Sequence, residues 1–254
     1  MTNLLKFRPN SKILKTGKAF NMRPCEVSAF AILAGHTCPG AKDCLAKVMI
    51  EEMKRKLIDG KHSKFRCFAA TSEVGRASVF NAHKHNTDLL QACKSKEEMA
   101  KLIIDSIITN CSKHVKLIRV HWSGDFFSQM YFDAWLLVAE QMPHIRFYAY
   151  TKSLNFWKRR EYDIPNNLFL TASRGGRYDH LIGEIFADRE AVVVFSEEEA
   201  EQLGLPIDHD DTHAAGYGGD FALLIHGNQP SGSDAQKAWR KVVQDIGKGI
   251  KSIA

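Results

Sequence analysis

The 254-residue sequence predicts an α/β protein, a single domain folded as a partial, TIM-like (βα)6 barrel. Three observations predict it. Strand-like apolar runs begin near Phe65, Leu117, Ile145, Leu168, Ala191 and Phe221. Each is followed by a polar turn and then a helical pattern, the alternation that gives βαβ units and a parallel sheet. Finally, chemistry-bearing residues crowd into the turn after every strand, as expected where C-terminal strand ends surround a site. An open flavodoxin-like sheet would equip only its switch-point turns.

Taken in order, the chain before Gly35 shows no clean period. Residues 41–58 are expected to be helical, because Leu45, Val48, Met49, Met53 and Leu57 recur at helical spacing and Gly60 follows as a stop. Residues 65–70 read as the first strand, with Phe65, Cys67 and Ala69 on one face. Residues 79–93 and 96–109 read as helices, the second opened by a capping box of Ser95 and Glu98. Further helices are expected over 131–142, over 197–203 behind Ser196 and Glu199, and over 234–246. No linker or internal repeat interrupts this pattern. One domain therefore spans 1–254, with residues 1–64 as a cysteine-bearing N-terminal extension packed on the barrel.

Hydrophobic residues at 44% and charged residues at 25% suit a globular protein with a sizeable core. The formal charge of +6 is compatible with nucleic acid or an anionic small molecule, or with a host protein as partner. It lacks the clustered basic stripe of a dedicated nucleic-acid binder, since Lys158-Arg159-Arg160 and Lys54-Arg55-Lys56 are short. No apolar run approaches the ~20 residues that span a bilayer, and the start is too quickly charged for a signal segment. A cytoplasmic protein is expected, with no membrane partner and with cysteines reduced or metal-bound rather than paired.

The thiols carry the main chemical expectation. Cys38 and Cys44 flank Pro39 and Gly40, and Cys67 follows. Soft thiolates suit iron, so these three are expected to hold an iron–sulfur cluster, with [4Fe-4S] as its form. Cys25, a non-cysteine side chain or an exogenous molecule would complete it. Cys44, in a first helical turn, would gain thiolate character from the helix dipole. Zinc competes, but the paired C-x₂₋₄-C signature is missing. Cys93 and Cys111 read as structural. Around the rim, Gly124 and Asp125 could meet an amine or hydroxyl, Lys152 and the Ser173-Arg174-Gly175-Gly176-Arg177 run an anion, and Asn228 a base or amide. Asp208, His209, Asp210 and His213 could hold a divalent ion, the basis of an alternative reading as a metal-dependent nuclease or phosphoesterase. A solvated acidic loop before the last strand is the simpler reading of them. Neither a P-loop, a dinucleotide fingerprint nor a nucleophile elbow occurs.

Several stretches together resemble the gene-product-88-like family of phage and bacterial proteins. They are Cys38-Pro39-Gly40-Ala41-Lys42-Asp43-Cys44, Phe65-Arg66-Cys67-Phe68-Ala69-Ala70, Ser123-Gly124-Asp125-Phe126-Phe127-Ser128 and Phe147-Tyr148-Ala149-Tyr150-Thr151-Lys152-Ser153. Leu170-Thr171-Ala172-Ser173-Arg174-Gly175-Gly176, Ile207-Asp208-His209-Asp210-Asp211 and Leu223-Leu224-Ile225-His226-Gly227 also match. The resemblance implies a phage-type protein working in the host cytoplasm, and it carries no settled activity. The layout is also similar to radical S-adenosylmethionine (SAM) enzymes: a six-stranded partial barrel, three thiolates and a turn after the second strand. That similarity implies SAM as a further ligand, its amine at Ser123-Gly124-Asp125. The thiol order departs from the C-x₃-C-x₂-C of those enzymes, because two thiols precede the expected first strand. A third reading is a non-catalytic cluster protein that binds host machinery or nucleic acid.

Overall fold

The computed structural model describes residues 3–183 and 189–251, with side chains described through residue 244. Six parallel strands form one curled sheet, a half-barrel, in the order β1 (Val27–Ala29), β4 (Leu117–Arg119), β5 (Arg146–Thr151), β6 (Leu168–Ser173), β7 (Glu190–Val194), β8 (Phe221–Leu224). A separate antiparallel hairpin pairs β2 (Ala46–Glu51) with β3 (Lys54–Asp59). The helices are α1 (Ser11–Ala19), α2 (Phe68–Gly75), α3 (Ala77–Ala92), α4 (Lys96–Asn110), α5 (Gln129–Gln141), α6 (Leu154–Lys158), α7 (Glu197–Gln202) and α8 (Asp234–Lys251).

Five of the six expected strands and all five helices expected beyond residue 78 are present, within a few residues. The hydroxyls of Ser95 and Ser196 accept the amides of Glu98 and Glu199 at 3.1 and 3.2 Å, fixing the starts of α4 and α7. Two expectations fail. Residues 65–70 are not a strand: Cys67 is the N-cap of α2, and the first strand of the sheet is β1. Residues 41–58 are not a helix but the β2–β3 hairpin, turning at Glu52 and Met53, both with positive φ. Residues 1–64 are therefore more than an extension, since they supply the sheet's first strand.

Alternation along the strands divides the side chains between two faces. Ile118, Val120, Phe147, Ala149, Leu168 and Leu170 face outward into the main core, against Ile103 of α4 and Trp135 of α5. The inner face carries Val27, Leu117, Tyr148, Ala191 and Phe221, packed on Ile13 of α1 and on Ala214 and Ala215. An open half-barrel must have its lumen covered. Here α1 and residues 208–217 cover it, and Ile207 bridges Ala222 at the β8 edge.

The cover is tied down by one carboxylate. Asp211, fully buried, takes Lys12 Nζ at 2.7 Å, Arg119 Nη1 at 2.6 Å, and the hydroxyls of Tyr150 and Tyr148 at 2.9 and 3.1 Å. Burial pushes its carboxyl up, but Arg119 and Lys12 outweigh burial and hold it below the usual range. Behind the sheet, burial and then the Arg119 charge pull His121 down to about 3, so it stays neutral.

Replacing Asp211 with Asn, which keeps tolerance of its φ of +64°, should cost about 3–5 kcal/mol, because two cations lose their buried partner. An unchanged urea midpoint would refute this. The pH dependence follows from the signs. The unfolded chain protonates His121 below about 6.5 while the folded chain does not until about 3, so stability falls as pH drops through that window. The Asp211 contribution is complete above about pH 4 and disappears as pH falls further through its depressed folded value. Urea titrations at several pH values should show the second limb flattened in Asp211→Asn.

Candidate functional site

After β1 the chain runs through buried Phe30 to Ala34 and then crosses the C-terminal ends of β5 and β6 as a strap, residues 36–44. The strap is pinned by backbone bonds: Arg177 N donates to Gly40 O at 2.8 Å, and Asp43 N donates to Gly175 O at 2.9 Å. Gly40 lies so close to Lys152 that a Cβ there would collide with the Lys152 carbonyl oxygen. On its far side the strap holds the chain leading to α2, since Lys64 N and Phe65 N donate to Asp43 O at 2.7 and 3.1 Å. Gln229, after β8, holds the same segment. Its Oε1 accepts Arg66 N at 2.7 Å and its Nε2 donates to His226 O at 2.8 Å.

This arrangement brings Cys38 and Cys44 of the strap into one region with Cys67 at the start of α2. Burial is the first cause raising each thiol, and Cys67 is pushed up to about 12. Charge on Cys67 or Cys44 would raise Cys38 further, and charge on Cys44 would raise Cys67. Nearby Asp125 also raises Cys38 and Cys44, while the Lys152 ammonium lowers Cys44. Sulfur-directed amides oppose the rise: Gly35 N–H reaches Cys38 Sγ at 3.3 Å, and the Ala70 and Ala69 amides serve Cys67. The helix-start position expected for Cys44 belongs to Cys67 instead; Cys44 leads into β2. Among the described residues, no group of three or more His, Cys, Asp or Glu side chains is placed to hold a metal ion.

The other expected site residues are mostly committed to the fold. Gly124, at φ +83°, faces Ile32 and Thr37, so its missing side chain makes room for the protein's own chain rather than a ligand. Asp125 is buried. Its Oδ1 accepts Thr151 Oγ1 and Phe126 N at 2.7 Å each, and its Oδ2 accepts Lys152 N at 2.9 Å. Lys152 Nζ donates to Arg174 O, Ser173 Oγ and Ser173 O at 2.6, 2.7 and 3.1 Å, which uses its three donors. Arg174 forms a two-pronged pair with Glu190 rather than an anion cradle. Asn228 is exposed beside the Gln229 clamp. Cys25, also exposed, lies at the start of β1, away from the C-terminal strand ends where the strap runs. It is not placed as the fourth ligand.

The acidic loop resolves into turn chemistry. Asp208 accepts Asp210 N at 3.0 Å and His213 N at 3.1 Å, and Asp210 accepts Thr212 Oγ1 at 2.8 Å. With Asp211 ion-paired, these carboxylates face N–H and O–H donors rather than converging with His209 and His213 on an ion.

Sequence reasoning missed two groups. The lumen polar network of Lys12, Arg119, Tyr148, Tyr150 and Asp211 was passed over because Arg119 sits inside an apolar strand run and Lys12 far away in the lead-in. Glu73, on α2, is fully buried. Its Oε1 receives His83 Nδ1, Ser123 Oγ and Ala34 N at 2.7, 2.9 and 3.0 Å. A carboxylate on the apolar face of a short helix was the available signal. Above the network lies a cavity of about 1080 Å³, with Cys67, Phe68, Trp122 and Tyr150 in its wall.

The family model described as Gene product 88 matches residues 3–242. The chain belongs to the Gene product 88 family. Over 122 residues, 46% of this chain, it is 31% identical to the Gene 88 protein of Mycobacterium phage L5, covering 44% of that protein. It is 30% identical to the Gene 88 protein of Mycobacterium phage D29 over 122 residues, covering 43% of it. The matched segment thus spans less than half of either relative. No solved structure matches the chain. The similarity to radical SAM enzymes therefore rests on strand count and thiol content alone. No helix among the described residues is long and apolar enough to cross a membrane.

In metal-free protein at pH 8, a maleimide should modify exposed Cys25 first. Cys67, with its thiol near 12, holds only about one part in ten thousand as thiolate and should react orders of magnitude more slowly. Mass spectrometry of the labelled peptides reads the order. Labelling of Cys38, Cys44 and Cys67 as fast as Cys25 would show that the thiols are not sequestered.

Proposed function

We propose that this member of the Gene product 88 family is an iron–sulfur protein, a [4Fe-4S] cluster being held by Cys38, Cys44 and Cys67 at the mouth of the half-barrel. The observation that supports the reading is the placing of three half-buried thiols, from the strap and the start of α2, close enough for the charge of one to act on another. Three neighbouring protonated thiols in a desolvated site gain little from being together. Thiolates binding a cationic iron centre gain much, and the raised thiol values then describe the metal-free state. Cluster thiolates ligate separate irons, so their sulfurs need only surround a common space. Among the described residues no group of three or more such side chains is placed to hold a metal ion, so binding would have to draw the three sulfurs together. The Gly35, Ala69 and Ala70 amides would stabilise the sulfurs, and Lys152 would offset their charge.

A bound cluster would supply one-electron chemistry or a structural clip at the mouth. The chain's own part is to fix three ligands, exclude bulk water from them, and leave the fourth position to an exogenous molecule, since Cys25 lies elsewhere. SAM is not carried into this reading, because Gly124 and Asp125 are occupied by internal packing and hydrogen bonds. Work in a host cytoplasm would keep these thiols reduced.

Protein purified without oxygen should be brown, absorb near 400 nm (roughly, as thiolate-to-iron charge transfer does) and contain iron and sulfide. Cys67→Ser should lose the colour while keeping its circular-dichroism spectrum. Colourless protein, or protein holding zinc alone, would overturn the proposal, and colour that survives Cys67→Ser would remove Cys67 from the ligand set.

A further inference from the structure

The lumen cavity has a floor, a wall and a rim of different chemistry. At the floor Lys12 and Arg119 share the one carboxylate of Asp211, at 2.7 and 2.6 Å. The wall is aromatic: Tyr150, Trp122 and Phe68 line it, with Trp239 of α8. At the rim Lys241 is paired with Glu198 at 3.2 Å. Lys15 of α1 and Arg76, between α2 and α3, are exposed rim cations with no acidic partner among the described residues. Glu197, also lining the cavity, has no cationic partner among the described residues.

We propose that this cavity binds an organic phosphate carrying a flat ring, of the nucleoside monophosphate class. Its ring would lie among Phe68, Trp122 and Tyr150, and its phosphate at Lys15 and Arg76. Each part of the lining excludes a simpler ligand. An inorganic anion would use the two cations but leave the aromatic wall unused. A neutral ring would fill the wall but leave two unpaired cations at the rim. The volume, about 1080 Å³, is at the upper end for small-molecule sites and holds a ring, a spacer and an anionic group together. Aromatic faces accept flat bases irrespective of their identity, and a guanidinium matches phosphate oxygens two at a time. The inference stands apart from the iron–sulfur reading, since no cysteine is asked to bind the ligand. Cys67 in the wall nevertheless places that ligand beside the thiol region.

The full chain as purified is titrated calorimetrically with a nucleoside 5′-monophosphate, the free nucleoside and inorganic phosphate in turn. Expected is binding of the monophosphate about tenfold or more tighter than either fragment. Arg76→Glu and Lys15→Glu, both at exposed positions that leave folding intact, should each weaken it by about tenfold or more, and Phe68→Ala should weaken it without changing the response to phosphate. No binding of the monophosphate, phosphate binding as tightly as the monophosphate, or charge-reversed variants with unchanged affinity would each overturn the proposal. The same titration on Cys38→Ser, whose side chain does not line the cavity, should be unaltered, which separates this site from any failure of the cluster.

Discussion

The half-barrel depends on the carboxylate of Asp211. A six-stranded parallel sheet that stops short of closure exposes an inner face, and that face must be covered by elements with no strand-to-strand bonds to hold them. Asp211 takes Lys12 from α1, Arg119 from β4 and the hydroxyls of Tyr148 and Tyr150 from β5. One buried anion thus links the N-terminal helix, two neighbouring strands and the loop before β8. Its positive φ shows that the loop is held in an unfavourable backbone conformation to deliver it. The apolar layer beneath, with Ile13, Ala214 and Phe221, packs because the network sets the height of the cover.

The strap is the second organising device, and it works by backbone rather than charge. Gly40 and Gly176 lack side chains where the strap meets Lys152, and Ala41 bridges Gly176. Lys152, Asp125 and Ser173, which could have served a ligand, brace the strand ends on which the strap lies. What remains at the mouth is sulfur, and the rim chemistry of this half-barrel is concentrated in three thiols and the cavity below them.

The strand–helix alternation after residue 115 was legible because each strand lies in an apolar run and α5, α7 and α8 open on a serine whose hydroxyl accepts a backbone amide. The N-terminal third was not. Leu45, Val48, Met49, Met53 and Leu57 satisfy helical spacing by coincidence, yet β2 is buried at Ala46 and Val48 and half-buried or exposed between and beyond. The hairpin turn at Glu52 and Met53 has positive φ at both residues without the Asn-Gly or Asp-Gly pair that usually announces it. β1, of three residues, is buried throughout, so it shows no alternation to read. At the site, the cysteines were legible as a set because thiols in a Pro-Gly loop are uncommon. The polar rim residues were legible as residues but not as roles. Sequence shows that Lys152 stands at a strand end, but only the fold shows that Ser173 and Arg174 take all its donors.

Cys67 is where these levels meet. It begins a helix rather than lying on a strand, and that difference changes its chemistry. On a strand its sulfur would find no amides directed at it. At the start of α2 it accepts them from Ala69 and Ala70, and the helix dipole favours its thiolate. Burial and neighbouring thiols work against that thiolate and win in the metal-free chain, which is why the thiol lies near 12. The amides and the dipole thus favour an anionic sulfur at a place where burial opposes it. It also lines the cavity, so the thiol region and the lumen share one side chain.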